Sequence, residues 1–184
     1  MKRSFDFITA LFVLIVTAPM LFIIAVLIKF ESRGPIVFRQ SRVGREGVEF
    51  CIFKFRSMVN GADKKGPHYT TSDDNRITKL GRFIRKTSID ELPQLFNVLQ
   101  GDMSLVGPRP NVIAQRVEYT ENEWCKRNSV RPGITGLAQA TLRSEATPEE
   151  RTALDLEYVD KSSFVFDLQI ILMTVKQIVS KGGN

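Results

Sequence analysis

Two adjacent acids, Asp90 and Glu91, sit in the stretch SIDELPQLFNVL, residues 88–99, just ahead of an apolar helical pattern. Such a pair can do chemistry without help from a histidine. An aspartate with a reference pKa near ~3.9 is already ionised at neutral pH and is available as a nucleophile. One or two carboxylates, completed by substrate phosphate oxygens, also suit Mg2+. The same residues fit a helix start. Ser88 and Glu91 have the spacing of a capping box, and acids in a first turn suit the helix dipole. Pro93 requires the helix to begin close by, with Asp90 as the alternative N-cap. Leu92, Leu95, Phe96 and Leu99 then predict one apolar helical face. Caps outnumber active sites, so the segment taken alone favours a helix start.

Candidate cations lie on both sides of the acids. In GDMSLVGPRP, residues 101–110, Gly107, Pro108 and Pro110 predict a stiff turn around Arg109. Its planar guanidinium fork would bind phosphate oxygens in pairs. RPGITG, residues 131–136, repeats the pattern with Arg131, a Pro-Gly turn and Thr135. RITKLGRFIRK, residues 76–86, predicts a short basic amphipathic helix with Ile77, Leu80 and Ile84 as its stripe. Arg85 is one of its cations, and the helix suits an anionic lipid surface or a phosphate site. Asp155 and Asp167 flank Tyr158 and fit either caps or site residues. The net charge of +6 suits an anionic partner, whether nucleic acid, lipid headgroup or phosphorylated substrate. The single histidine, His68, lies in a polar loop, so histidine triads and histidine-rich metal sites are poorly supplied. Cys51 and Cys125 are far apart and form no CxxC pattern, which argues against a zinc site or disulfide framework and for a reducing compartment.

The elements that must position these groups begin with FITALFVLIVTAPMLFIIAVLI, residues 7–28, which is 22 residues without a charge. As a helix it would reach ~33 Å, about the thickness of a hydrocarbon core. Basic residues flank both ends, Lys2 and Arg3 before, Lys29, Arg33, Arg39 and Arg42 after. This is compatible with both ends facing the cytoplasm. Pro19 divides the run and predicts a kink. A kinked re-entrant helix and a kinked span are both open on these features. Beyond Gly34-Pro35 the composition is that of a soluble domain. IVFRQSRVG and EFCIFKFRSM predict two strands about a turn, residues 60–75 a polar loop, and FVFDLQIILMTVKQIVSK a long, mostly apolar helix. At 184 residues the chain suits a single α+β domain.

FKFRSM, SIDELPQLFNVLQGDMSLVGPRP and RPGITGLAQ, in this order after an N-terminal apolar segment, resemble the monotopic phosphoglycosyl transferases, or bacterial sugar transferases. The likeness covers nearly the whole chain, which is similar to the small members that hold little beyond the catalytic core. It implies an anchor over residues 1–34 and a catalytic domain over residues 35–184. The domain would be seated by short amphipathic helices on the cytoplasmic face of the bacterial inner membrane.

Members of that family move a sugar 1-phosphate from a UDP-sugar to polyprenyl (undecaprenyl) phosphate, releasing UMP with Mg2+ bound. This is a first membrane step of glycoconjugate assembly, ahead of further glycosyltransferases. By the resemblance, Asp90 is the nucleophile of a ping-pong reaction and Glu91 helps hold Mg2+. Arg109 contacts phosphate, Arg56 is the basic residue of the family's Lys-Phe-basic motif with Lys54 two positions earlier, and these three with Arg85, Arg131 and Thr135 are the expected substrate-binding residues. The family's re-entrant helix breaks at a Ser-Pro pair. Here the pair is Ala18-Pro19, so the proline is kept and the serine hydroxyl is missing. A non-catalytic module for anionic lipid or nucleic acid would have no use for paired acids beside a rigid arginine turn, and nucleic acid is not the expected partner. Within the enzyme reading, one-step transfer without a covalent intermediate is the alternative.

Overall fold

The computed structural model describes residues 1–62, 74–142 and 147–181; His68 lies outside them. The apolar run forms helix α1, Lys2–Glu31. Its buried residues Asp6, Ala10, Leu14, Ile24 and Ile28 fall on one face at 100° per residue, while Ile8, Phe12, Val16 and Ile23 remain exposed on the other. The buried face contributes to two cores. Ala10 and Leu14 pack with Ile52, Leu95, Val98 and Met103, and Ile24 and Ile28 pack with Phe55 and Ile84.

The break expected at Ala18-Pro19 does not interrupt the helix, which runs through both residues. One proline deletes one donor, and the turns on either side are packed through Leu14 and Ile24, so helix persists across it. Thr17, one residue before Ala18, turns its hydroxyl back onto Val13 O at 2.7 Å, a bond that bends helices.

Strands β1 (Val37–Val43) and β2 (Glu49–Phe55) form the expected antiparallel pair. Arg42 lies opposite Phe50, Gln40 opposite Ile52 and Phe38 opposite Lys54. By the two-residue period these six share one face. Helix α2 (Lys79–Lys86) starts later than residue 76 because the Thr78 hydroxyl caps it, accepting from Gly81 N at 2.9 Å.

Helix α3 (Gln94–Gln100) follows the acidic pair. The predicted stripe is corrected here. Phe96 is 51% exposed, and the buried positions are Gln94, Leu95, Asn97 and Val98. Asn97 explains the rotation: its amide donates to Cys51 O at 2.8 Å and accepts from Phe53 N at 3.1 Å, which satisfies the free edge of β2. Docking this edge turns Asn97 inward and Phe96 out.

The chain continues through β3 (Ser104–Val106), α4 (Glu121–Arg127), β4 (Gly133–Thr135), α5 (Leu137–Thr141), α6 (Pro148–Lys161) and α7 (Phe164–Lys181). β3 and β4 pair in parallel, which joins the SLVGPRP and RPGITG motifs. Gly107 and Gly133 permit the approach, since a Cβ on Gly107 would lie 2.3 Å from Arg131 O and one on Gly133 would lie 2.1 Å from Gly107 N. Val106, Leu137, Ala140, Tyr158 and Ile170 form the core beneath them.

Both ends of α1 are fastened to this one domain. At the start, Lys2 Nζ meets Asp167 Oδ2 at 2.5 Å and Val106 O at 3.2 Å. Asp6 accepts from Ser104 Oγ at 2.8 Å and Leu105 N at 3.3 Å. At the far end, Arg56 Nη2 donates to Ile28 O at 3.2 Å and Ser32 O at 2.7 Å.

Candidate active site

Asp90 and Glu91 do not cap a helix. They occupy a 3-10 turn, Ile89–Glu91, after Ser88, which sits in the left-handed region at φ 56° with no side-chain cap bond. α3 begins only at Gln94, with Pro93 at its N-cap position and no side-chain cap. Short i to i+3 bonds take up the amides instead, Glu91 N to Ser88 O and Leu92 N to Ile89 O, both at 3.2 Å. The capping box is thereby corrected: the left-handed Ser88 and the missing donor of Pro93 make a tight turn, which leaves both carboxylates free for other partners.

Those partners differ. Glu91 Oε1 accepts from Lys54 Nζ at 2.5 Å and from Arg109 Nη2 at 3.1 Å. Burial alone would raise Glu91, but Arg109 and Lys54 together outweigh it and hold the carboxyl at about 2. Lys54 is lowered by burial, against the opposing pull of Glu91. Asp90 is 8% exposed, and no hydrogen bond reaches its carboxylate from the described residues. Burial, reinforced by the Glu91 charge, pushes it up to about 6. One acid is a permanent anion and the other is a poorly solvated one.

Arg42, Lys54, Glu91, Gln94, Arg109 and Gly133 line a small cavity. Strand alternation brings Arg42 and Lys54 to it, α3 supplies Gln94, and the β3–β4 pairing supplies Arg109 and Gly133. In the sequence Arg42 stands out only as a charge flanking the apolar run. Its guanidinium donates to Pro110 O at 3.0 Å and Gln40 Oε1 at 2.6 Å, while its buried Nε has no partner among the described residues. Burial and the neighbouring Arg109 lower it to about 10. The signal was the two-residue spacing of Gln40 and Arg42, which places them beside Ile52 and Lys54 only once the register is known.

The remaining predicted residues go elsewhere. β2 ends at Phe55, so Arg56 leaves the Lys54 face and ties down the end of α1. Arg131 donates to Gly101 O at 2.8 Å and closes the end of α3. Thr135 shares a hydrogen bond of 2.7 Å with Thr174 of α7. Arg85 donates to Ser57 Oγ at 2.8 Å and reaches Asp90 through its charge alone. Asp155 pairs with Arg127 and Asp167 with Lys2, so both serve structure.

Arg42, Lys54 and Arg109 in the cavity, with Arg85 acting on Asp90 through its charge, outnumber the two acids and leave the site net positive. With a buried Asp90 carboxylate that accepts no hydrogen bond among the described residues, such a site suits phosphorylated anions. The chain belongs to the bacterial sugar transferase family, whose profile matches residues 1–181. It is 43% identical over 183 residues to the sugar transferase EpsL of Bacillus subtilis (strain 168), covering 100% of this chain and 89% of that protein. It is 42% identical over 191 residues to the UDP-glucose:undecaprenyl-phosphate glucose-1-phosphate transferase of Escherichia coli (strain K12), covering 100% of this chain but 41% of that protein. It is 42% identical over 193 residues to the exopolysaccharide production protein PSS of Rhizobium leguminosarum bv. phaseoli, covering 99% of this chain and 96% of that protein.

Proposed function

We propose that the protein is a phosphoglycosyl transferase that moves a sugar 1-phosphate from a UDP-sugar to undecaprenyl phosphate in two steps. Asp90 attacks the β-phosphorus, the bond to the bridging oxygen breaks, and UMP leaves with that electron pair. An oxygen of undecaprenyl phosphate then attacks the same phosphorus and expels the Asp90 carboxylate. The observation that carries this reading is the asymmetry of the acids: Glu91 is held between Lys54 and Arg109, whereas Asp90 is buried and accepts no hydrogen bond among the described residues. Phosphoryl transfer depends on positioning and charge neutralisation, and Arg42, Lys54 and Arg109 supply both. Relatives named as transferases from UDP-glucose or UDP-N-acetylgalactosamine to undecaprenyl phosphate support the substrate classes.

Among the described residues no group of three metal-ligating side chains occurs, so a cage made of protein alone is not the expected arrangement. Mg2+ needs none, because it takes one or two carboxylates with substrate phosphates and water. Asp90 and Glu91 would hold it, Asp90 through an oxygen that no donor among the described residues occupies. When bound, it would neutralise diphosphate charge.

The way α1 is fastened supports association with one membrane face. A helix crossing the core would leave its ends ~30 Å apart on opposite sides. Here Lys2 and Asp6 at one end and Ile28 at the other contact the same domain. The anchor of residues 1–34 therefore enters and leaves by one face in this reading, re-entrant or lying in the interface. The catalytic residues 35–184 meet the cytoplasmic pool of UDP-sugars.

The test is UMP release by the purified chain with Mg2+, using UDP-glucose and UDP-N-acetylgalactosamine, with and without undecaprenyl phosphate. Two-step transfer gives about one UMP per enzyme before acceptor is added. One-step transfer gives none until it is added, and a binding module gives none at all.

A further inference from the structure

The turn that carries Arg109 is held at four successive carbonyls. Pro108 O accepts from Gly133 N at 3.0 Å and Asn111 O from Val43 N at 2.9 Å. Between them, Arg109 O accepts from Arg127 Nη2 at 2.5 Å and Pro110 O from Arg42 Nη1 at 3.0 Å. Two arginine side chains thus stand where backbone donors would otherwise be needed.

Arg127 differs from Arg42 in not lining the cavity. It lies in the last turn of α4 and is 2% exposed. Its Nε and Nη2 meet Asp155 Oδ2 of α6 at 2.9 and 2.8 Å, and its guanidinium lies over the Tyr119 ring, 5.6 Å from the centroid. A buried ion pair gains little stability over apolar residues of the same volume. A fixed donor aimed at one carbonyl is something apolar residues could not provide. Arg109 itself is 39% exposed at the side chain, so its aim depends on where its backbone is held.

We propose that Arg127, braced by Asp155, is a positioning residue for Arg109, fixing its carbonyl and so the origin of the guanidinium that meets Glu91. This rests on the reading of Arg109 as a phosphate-binding residue. Loss of the donor frees the turn to shift, and a misplacement of ~1 Å in such sites costs up to about 100-fold in rate.

The test is a double-mutant cycle read by UDP affinity, since every candidate donor shares that portion. UDP dissociation constants are measured with Mg2+ for the intact chain, Arg127→Lys, Arg109→Lys and the double variant. Lysine retains a charge for Asp155 but lacks the fork that also reaches Arg109 O. Arg127→Lys is expected to weaken UDP binding roughly ten-fold, and less than about two-fold when Arg109→Lys is already present. Equal losses in both backgrounds mark a general structural effect and overturn the proposal. A silent Arg109→Lys overturns the phosphate reading, and the positioning role with it, and so is distinct from the first failure. If thermal unfolding shows that Arg127→Lys does not fold, Asp155→Asn keeps an acceptor of the same shape without the charge. The same non-additivity with Arg109→Lys is then expected, and additivity again overturns the proposal.

Discussion

Lys54 Nζ lies 2.5 Å from Glu91 Oε1, so the second acid is neutralised before any substrate arrives. Its neighbour Asp90 has no such partner among the described residues. Adjacent carboxylates of nearly equal intrinsic acidity are thereby driven in opposite directions, to about 2 for Glu91 and about 6 for Asp90. This separation assigns different work to each.

Asp90→Asn should abolish UMP release while raising stability. The buried carboxyl is shifted up in the fold, so its ionised form opposes folding above about pH 6 and the penalty disappears below its ordinary value of 3.8. Removing the charge should add on the order of 1–3 kcal/mol at pH 7.5, with the gain vanishing near pH 4. Thermal unfolding at both pH values, beside the activity assay, checks it. Turnover within a few-fold of the unmodified chain would refute Asp90 as the nucleophile.

Glu91→Gln should have the opposite effect on stability. A carboxyl depressed from 4.5 to about 2 contributes fully above its ordinary value, and that contribution is lost as the pH falls towards 2. Without it, Lys54 and Arg109 face each other uncompensated, at a cost of roughly 1–4 kcal/mol at neutral pH. Chemical denaturation of the two single variants side by side would show the sign difference, and equal signs would contradict the asymmetry.

The pH profile follows from Asp90 as well. As the pH drops through about 6, the nucleophile is protonated, and kcat/KM for UMP release should fall about ten-fold per unit below that point. A limb centred near 4 would mean that Asp90 is solvated like an ordinary carboxylate.

Ser88 offers a check on the turn. At φ 56° it pays the left-handed penalty of ~1–2 kcal/mol that glycine does not. Ser88→Gly should leave stability unchanged or raise it by up to about 1 kcal/mol in urea titration. A helix N-cap would instead lose stability on this change.

Topology is open to direct labelling. Cysteines replacing Ser4 and Arg33, both exposed, in a chain with Cys51 and Cys125 replaced, should both resist an impermeant thiol reagent in intact cells and both react after lysis. Labelling of position 4 alone in intact cells would show that α1 spans. Pro19→Leu by itself should leave the pattern unchanged, because Lys2, Arg3 and Asp6 fasten the start of the helix.

The sequence by itself determined the parts whose signal is local. Twenty-two uncharged residues made α1, two-residue alternation about a glycine turn made β1 and β2, and the acidic pair beside a proline-bounded arginine marked the site. The tertiary structure decided the rest, because it depends on which backbone groups lack partners once the elements meet. The Cys51 carbonyl and Phe53 amide of β2 needed partners and received Asn97, which rotated α3 and exposed Phe96. The carbonyls at the end of α1 drew Arg56 away from the acids, and the Gly101 carbonyl drew Arg131. The strand register carried Arg42 into the cavity instead. A cation's type can be read from sequence, but its partner is set by the nearest unsatisfied charge or carbonyl, and long-range packing alone determines which one is nearest.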